Sequence, residues 1–148
     1  MKNLLLFCIA VSLFACQPPA ADCPEDTSKD ALTGTWSMTA LLASKTATGD
    51  TLWYGERTQY KMYANGAVMW MAESPMDSTE WYGYGTYSID GDSLREVMLS
   101  GSSAFRKELE ERGSNAFSHG LTVSEDAYSQ TLQGNDSVTV REDYARVK

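Results

Sequence analysis

Histidine is nearly missing from this chain, with His119 the only one, and cysteine is missing from everything beyond residue 23, since the three cysteines are Cys8, Cys16 and Cys23. A domain without a thiol has no cysteine nucleophile, no structural disulfide and no zinc cluster, and one histidine gives nucleophilic catalysis little to work with. Proline is also scarce where a fold would form: past Thr33 only Pro75 remains. Positive charge is the last deficit. Twelve Lys and Arg against twenty Asp and Glu give a net charge of −8, and nucleic-acid binding, which rests on neutralising phosphates, is excluded as a class.

What is present begins with an address. Lys2 precedes an apolar run from Leu4 to Ala15, the length of a secretory core segment and too short to span a bilayer as a helix. The run ends in Leu13-Phe14-Ala15-Cys16, which resembles the bacterial lipoprotein box. That resemblance implies cleavage after residue 15, a lipidated Cys16 (thioether-linked diacylglycerol plus a further acyl chain such as palmitate), and stable anchoring, because several acyl chains exceed the two-signal threshold. Phe14 departs from the small or β-branched residue usual at its position. Gln17 stands where many inner-membrane lipoproteins carry aspartate, so the expected location is the bacterial envelope at the outer membrane. Residues 16 to 32, with Pro18, Pro19 and Pro24 among small and charged residues, read as a flexible tether reaching about 20 to 25 Å. Cys23 is left there without an intramolecular partner.

From residue 33 to 148 the pattern is all-β. Short aromatic and β-branched runs near 34 to 43, 52 to 63, 67 to 73, 81 to 89, 93 to 100, 117 to 124, 127 to 133 and 137 to 147 alternate with turn residues. Asn65-Gly66, Asp90-Gly91 and Gly134-Asn135-Asp136 supply the positive φ angles of tight hairpins. Eight strands joined as a meander make one up-and-down antiparallel barrel. A single helix is expected over Ser103 to Arg112, capped by Ser102 or Ser103, stopped by Gly113, with Phe105 and Leu109 on one face, Arg106 paired to Glu110, and the whole covering a barrel mouth.

Period-two alternation assigns the inner face. Trp36, Met38, Ala40 and Leu42 share one parity, as do Val68, Trp70 and Ala72; Leu94, Glu96 and Met98; and Val138, Val140, Glu142, Tyr144 and Arg146. Met62 joins Met38 and Met98 as an inward-compatible methionine. Glu96, Glu142 and Arg146 are charges on an apolar face, which demands pairing or a solvated cavity.

Gly34-Thr35-Trp36, Gly85-Thr86-Tyr87 ahead of Asp90-Gly91-Asp92, and the closing Glu142-Asp143-Tyr144-Ala145-Arg146-Val147 together resemble the lipocalin-like domains of bacterial lipoproteins. The resemblance implies that Trp36 packs beneath Arg146 to close the barrel floor, and that the barrel holds a small hydrophobic or amphipathic molecule.

Four tryptophans and eight tyrosines suit either a ligand pocket or simple filling of a narrow barrel, and a barrel of this size has room for one rather than both. The candidate ligand-lining residues are Trp36, Trp70, Tyr87, Glu96, Glu142, Tyr144 and Arg146, with Gln130 adding polar reach. Glu142 and Arg146 lie about 13 Å apart along one strand and could address two ends of a ligand. The alternatives are a filled barrel whose outer face docks an envelope protein, and a carboxylate-dependent isomerase or hydrolase using Glu96 and Glu142, which needs two acids with raised pKa values. No metal site, cofactor or catalytic residue is assigned; Asp90-x-Asp92 lacks the further ligands of a calcium loop. Asp50-Thr51-Leu52, Asp92-Ser93-Leu94 and Asp136-Ser137-Val138 resemble periplasmic O-glycosylation acceptors, or are turn-to-strand chemistry. Intact-mass analysis of protein from its native envelope should give the chain from Cys16 plus lipid; a mass without lipid would refute the anchor, and the absence of added hexose would remove the glycosylation reading.

Overall fold

The computed structural model describes residues 31–45, 47–55, 57–73, 79–133 and 138–148. The signal segment 1–15, Cys16, Cys23, most of the tether and the turn at 134–136 lie outside the described residues. Nine strands follow in order: β1 (Gly34–Lys45), β2 (Thr51–Gly55), β3 (Gln59–Ala64), β4 (Ala67–Glu73), β5 (Glu80–Asp90), β6 (Ser93–Gly101), β7 (Ala116–Val123), β8 (Ala127–Gln133) and β9 (Val138–Arg146), with one helix, α1 (Ser103–Arg112), between β6 and β7. Every neighbouring pair is antiparallel, and β1 returns to pair with β9, so the sheet closes on itself. β2 and β3 are two halves of one barrel strand. β3 pairs with the first part of β1 and β2 with the last part, which makes the closed structure an eight-stranded barrel.

Local chemistry explains the hairpins. Asn65 and Gly66 both have positive φ, 51° and 77°, the pair of left-handed residues that a two-residue turn matched to strand twist requires. The helix starts where the Ser102 hydroxyl accepts from the Phe105 backbone N–H at 3.3 Å and stops at Gly113, left-handed at φ 68°. Phe105 and Leu109 face the barrel as the pattern predicts. The expected Arg106–Glu110 pair does not form: Arg106 instead donates to the Gly101 carbonyl at 2.7 Å, and the i, i+4 pair is Lys107–Glu111.

Two inner-face assignments are corrected. A bulge between Met38 and Ala40 shifts the alternation of β1, so Leu41 and Ala43, not Ala40 and Leu42, stand opposite Glu142 and Val140. In β3 the register Lys61↔Trp70 and Tyr63↔Val68 turns Gln59, Lys61 and Tyr63 inward. Met62, opposite Met69, therefore points out and is half exposed.

The end of the barrel where β1 begins is packed solid. Leu32, Trp36, Tyr63, Val68, Tyr87, Ile89, Leu94, Tyr128 and Tyr144 are buried there in one cluster. Trp36 meets Tyr128 edge-on at 4.9 Å, Tyr63 meets Tyr87 likewise, and Tyr128 stacks on Tyr144 at 4.5 Å. Each such pair adds about 0.5 to 1.5 kcal/mol beyond area burial. The Arg146 guanidinium lies 4.1 Å over the Trp36 ring and donates to the carbonyls of Ala31, Thr33 and Glu125, while the Trp36 indole N–H donates to the Leu32 carbonyl at 2.8 Å. Gly34, at φ 139°, permits this closure, because a Cβ there would collide with Arg146. Replacing Arg146 by Lys keeps the charge but loses the fork. We expect a stability loss of about 2 kcal/mol in urea unfolding with an unchanged far-ultraviolet spectrum; an unchanged midpoint would mean the fork is not what seals the floor.

Candidate functional site

Above the packed floor the barrel interior turns polar, then hollow. The polar layer is built on Glu96 of β6 and Lys61 of β3, both buried to within a few per cent. The Lys61 ammonium donates to both Glu96 oxygens and to Gln130 Oε1, each at 3.1 Å, and the Tyr63 hydroxyl donates to Glu96 Oε1 at 2.6 Å. Gln130 passes the network on by donating to Glu142 Oε2 at 2.8 Å, where the Tyr144 hydroxyl also donates at 2.7 Å, and Gln59 in turn donates to the Tyr144 hydroxyl at 2.6 Å. Burial disfavours the Glu96 carboxylate, but Lys61, then His119 and Tyr63, outweigh it and hold its pKa down at about 2. Burial, reinforced by the carboxylate beside each ring, pushes the Tyr63 and Tyr144 phenols well above their ordinary values. These two tyrosines are fixed as donors.

His119 is the exception in this network. Its ring is 7 % exposed and parallel to Phe117. Nε2 lies 3.5 Å from Glu96 Oε2, long for a hydrogen bond, and neither ring nitrogen has a hydrogen-bond partner among the described residues. A buried imidazole without partners is unusual enough to require an explanation.

The space it faces is a cavity of about 280 Å³. Its deep surface is Lys61, Glu96, Gln130, His119, Gln59 and Glu142; its walls are Trp70, Trp81, Met98, Phe105, Phe117 and Leu132; Arg57 and Glu108 stand at the rim. The fold makes these walls directly. Helix α1 lays Phe105 across the mouth, where it meets Trp70 edge-on at 4.9 Å and runs nearly parallel to Phe117. Gly83 of β5 leaves the room Trp70 occupies, since a Cβ there would fall 2.5 Å from the indole nitrogen.

Of the sequence-derived lining residues, Trp70, Glu96 and Glu142 face this cavity. Trp36, Tyr87, Tyr144 and Arg146 do not; they belong to the floor beneath it. Glu142 and Arg146 thus address different layers rather than two ends of one ligand. Trp53 is half exposed on β2. Sequence reasoning missed Lys61, Gln59 and His119. The choice between a filled and a hollow barrel was also too stark, because this barrel is filled in one half and open in the other.

Outside the barrel, β3, β4 and β5 carry a second feature. The register places Tyr60, Met71 and Tyr82 in one row and Met62, Met69 and Tyr84 in the next, all 42 to 55 % exposed, along a groove of about 400 Å³ with almost no polar surface.

Comparison with solved structures gives the architecture its name. A lipocalin-like protein from Bacteroides uniformis ATCC 8492 superposes with a TM-score of 0.53 at 15 % identity, covering 79 % of this chain and 99 % of that one. The fold is a lipocalin-like barrel. An uncharacterized protein from Bacteroides eggerthii DSM 20697 (TM-score 0.48, 10 % identity, 78 % and 99 % covered) and a de novo designed fluorescence-activating β-barrel (TM-score 0.47, 13 % identity, 81 % and 97 % covered) are also similar. No family model and no curated protein matches the chain.

In this lipocalin-like barrel the ion pair sets a pH dependence. The folded pKa of Glu96 lies below its ordinary 4.5, so its contribution is full above that value and lost as pH falls toward about 2. Glu96→Gln should cost about 3 to 5 kcal/mol at pH 7 by stranding Lys61, and should flatten the loss of stability between pH 4.5 and 2. Adding Lys61→Met should recover most of that cost. Urea unfolding at pH 7 and pH 3 measures both; a double variant no better than Glu96→Gln would show that the penalty is not an orphaned ammonium.

Proposed function

We propose that this protein is a binding barrel that holds one small molecule in its open half, carried at the bacterial outer membrane on a lipidated Cys16. The observation that supports binding is the 280 Å³ cavity into which a buried, unpartnered His119 is directed. Ligand pockets combine apolar aromatic walls with a few fixed polar groups, and here Trp70, Trp81, Phe105 and Phe117 are the walls and the Lys61–Glu96–Gln130–Glu142 network is the fixed set. Catalysis by paired carboxylates is not favoured: a general acid needs a raised pKa, and Glu96 has a lowered one. The membrane anchor rests on the sequence alone, on the run that ends at Ala15-Cys16.

The exposed Tyr60–Met71–Tyr82 and Met62–Met69–Tyr84 rows favour a second reading, in which the outer face docks another envelope protein. The two readings occupy different faces and separate by mutation. Leu132→Trp, which fills the mouth, should abolish a non-covalent ligand mass in native mass spectrometry of protein from its own envelope extract, and Met71→Lys should leave that mass in place. Bare protein from the wild-type extract, with no mass lost on denaturation, would count against the binding barrel.

A further inference from the structure

The charges inside the cavity are not balanced, and the imbalance specifies the ligand. Lys61 is fully committed, since its ammonium donates to both oxygens of Glu96 and to Gln130. No ammonium or guanidinium is left deep in the cavity for an acid to meet. Glu142 is in the opposite position: it accepts from Gln130 and from Tyr144, both neutral, and has no salt-bridge partner among the described residues. An anion pushed into this space would lie against Glu142 and Glu96, and Arg57, the lining Lys or Arg without an ion pair among the described residues, stands at the rim.

Cations meet the reverse. Trp70, Trp81, Phe105 and Phe117 line the same space as Glu142, with Arg112 already seated over one face of Phe117, and aromatic walls attract ammonium groups while giving an apolar ring a place to stack. His119, with both nitrogens unpartnered, adds one acceptor and one donor in its neutral form. The chain's net charge of −8 draws cations toward it at long range. Size sets the scale: a cavity of about 150 Å³ takes one benzene ring, so about 280 Å³ takes a body of about two fused rings.

We propose that the cavity selects a flat aromatic or heteroaromatic amine of about two-ring size, its ammonium directed at Glu142 and its ring held by Trp70, Trp81, Phe105 and Phe117. The proposal rests on the binding-barrel reading and names the class of molecule bound.

Three probes with one skeleton separate charge from shape: 2-naphthylmethylamine, 2-naphthalenemethanol and 2-naphthoate, titrated calorimetrically into the wild-type protein at pH 7. The amine should bind at least tenfold tighter than the alcohol, and the naphthoate weakest. Glu142→Gln, which keeps the shape and an acceptor, should bring the amine to the affinity of the alcohol and leave the alcohol within about twofold. Naphthoate binding as tightly as the amine, above all if Arg57→Gln abolishes it, would overturn the proposal in favour of an anionic ligand. An amine no better than the alcohol would also overturn it and leave the binding barrel standing. If none of the three binds the wild type, the proposal fails, and the native mass of protein from its envelope extract decides the binding-barrel reading separately.

Discussion

The Lys61–Glu96 pair constrains everything around it. Two opposite charges taken out of water cost several kcal/mol each, and their attraction offsets this only when the remaining donors and acceptors are also satisfied. Here that requirement recruits Tyr63 from the same strand as Lys61 and Gln130 from across the barrel. Gln130 then fixes Glu142, and Glu142 fixes Tyr144. One buried pair thereby ties β3 and β6, which lie apart in the sheet order, to each other and to the neighbouring strands β8 and β9. A set of apolar side chains of equal volume could stabilise the barrel as well, but it would not hold polar atoms at fixed positions facing a void.

That polar layer divides the barrel along its axis. Beneath it, interlocked aromatic rings and the Arg146–Trp36 closure fill the lumen and supply cohesion. Above it, the walls remain apolar and enclose a cavity instead of filling the lumen. The helix is placed on the open side, where it contacts β5 and β6 and contributes Phe105 to the cavity rather than to the floor. Cohesion and recognition therefore reside in different halves of the same eight strands, and the side chains of one can change with limited effect on the other.

Much of this was legible in the sequence. The strands, the hairpins at Asn65-Gly66 and Asp90-Gly91, and the helix over Ser103–Arg112 were readable because local signals agree with the fold: period-two alternation, left-handed turn residues, a serine cap and a glycine stop. Trp70, Glu96 and Glu142 were readable as cavity residues because polar groups on an apolar parity stand out. Three things were not. The bulge after Met38 leaves no mark in composition, yet it reverses the faces of the rest of β1. In β3 the hydrophobic pattern runs the wrong way, with Gln59 and Lys61 inside and Tyr60 and Met62 outside, so a rule that buries methionine and exposes lysine picks the wrong side. His119 shares the parity of Phe117 and Leu121, but only the pairing of β6 with β7 brings it beside Glu96.

Gly83, Gly85 and Gly101 carry a further implication. A Cβ at Gly85 would strike the backbone of Val97, at Gly101 the carbonyl of Tyr82, and at Gly83 the ring of Trp70. The wall around the hollow is thus drawn tight by residues that contribute no side chain at all: Gly83 lets Trp70 lie against β5, and Gly85 and Gly101 let β5 and β6 approach closely. A side chain at any of the three would shift the wall before it touched anything held inside.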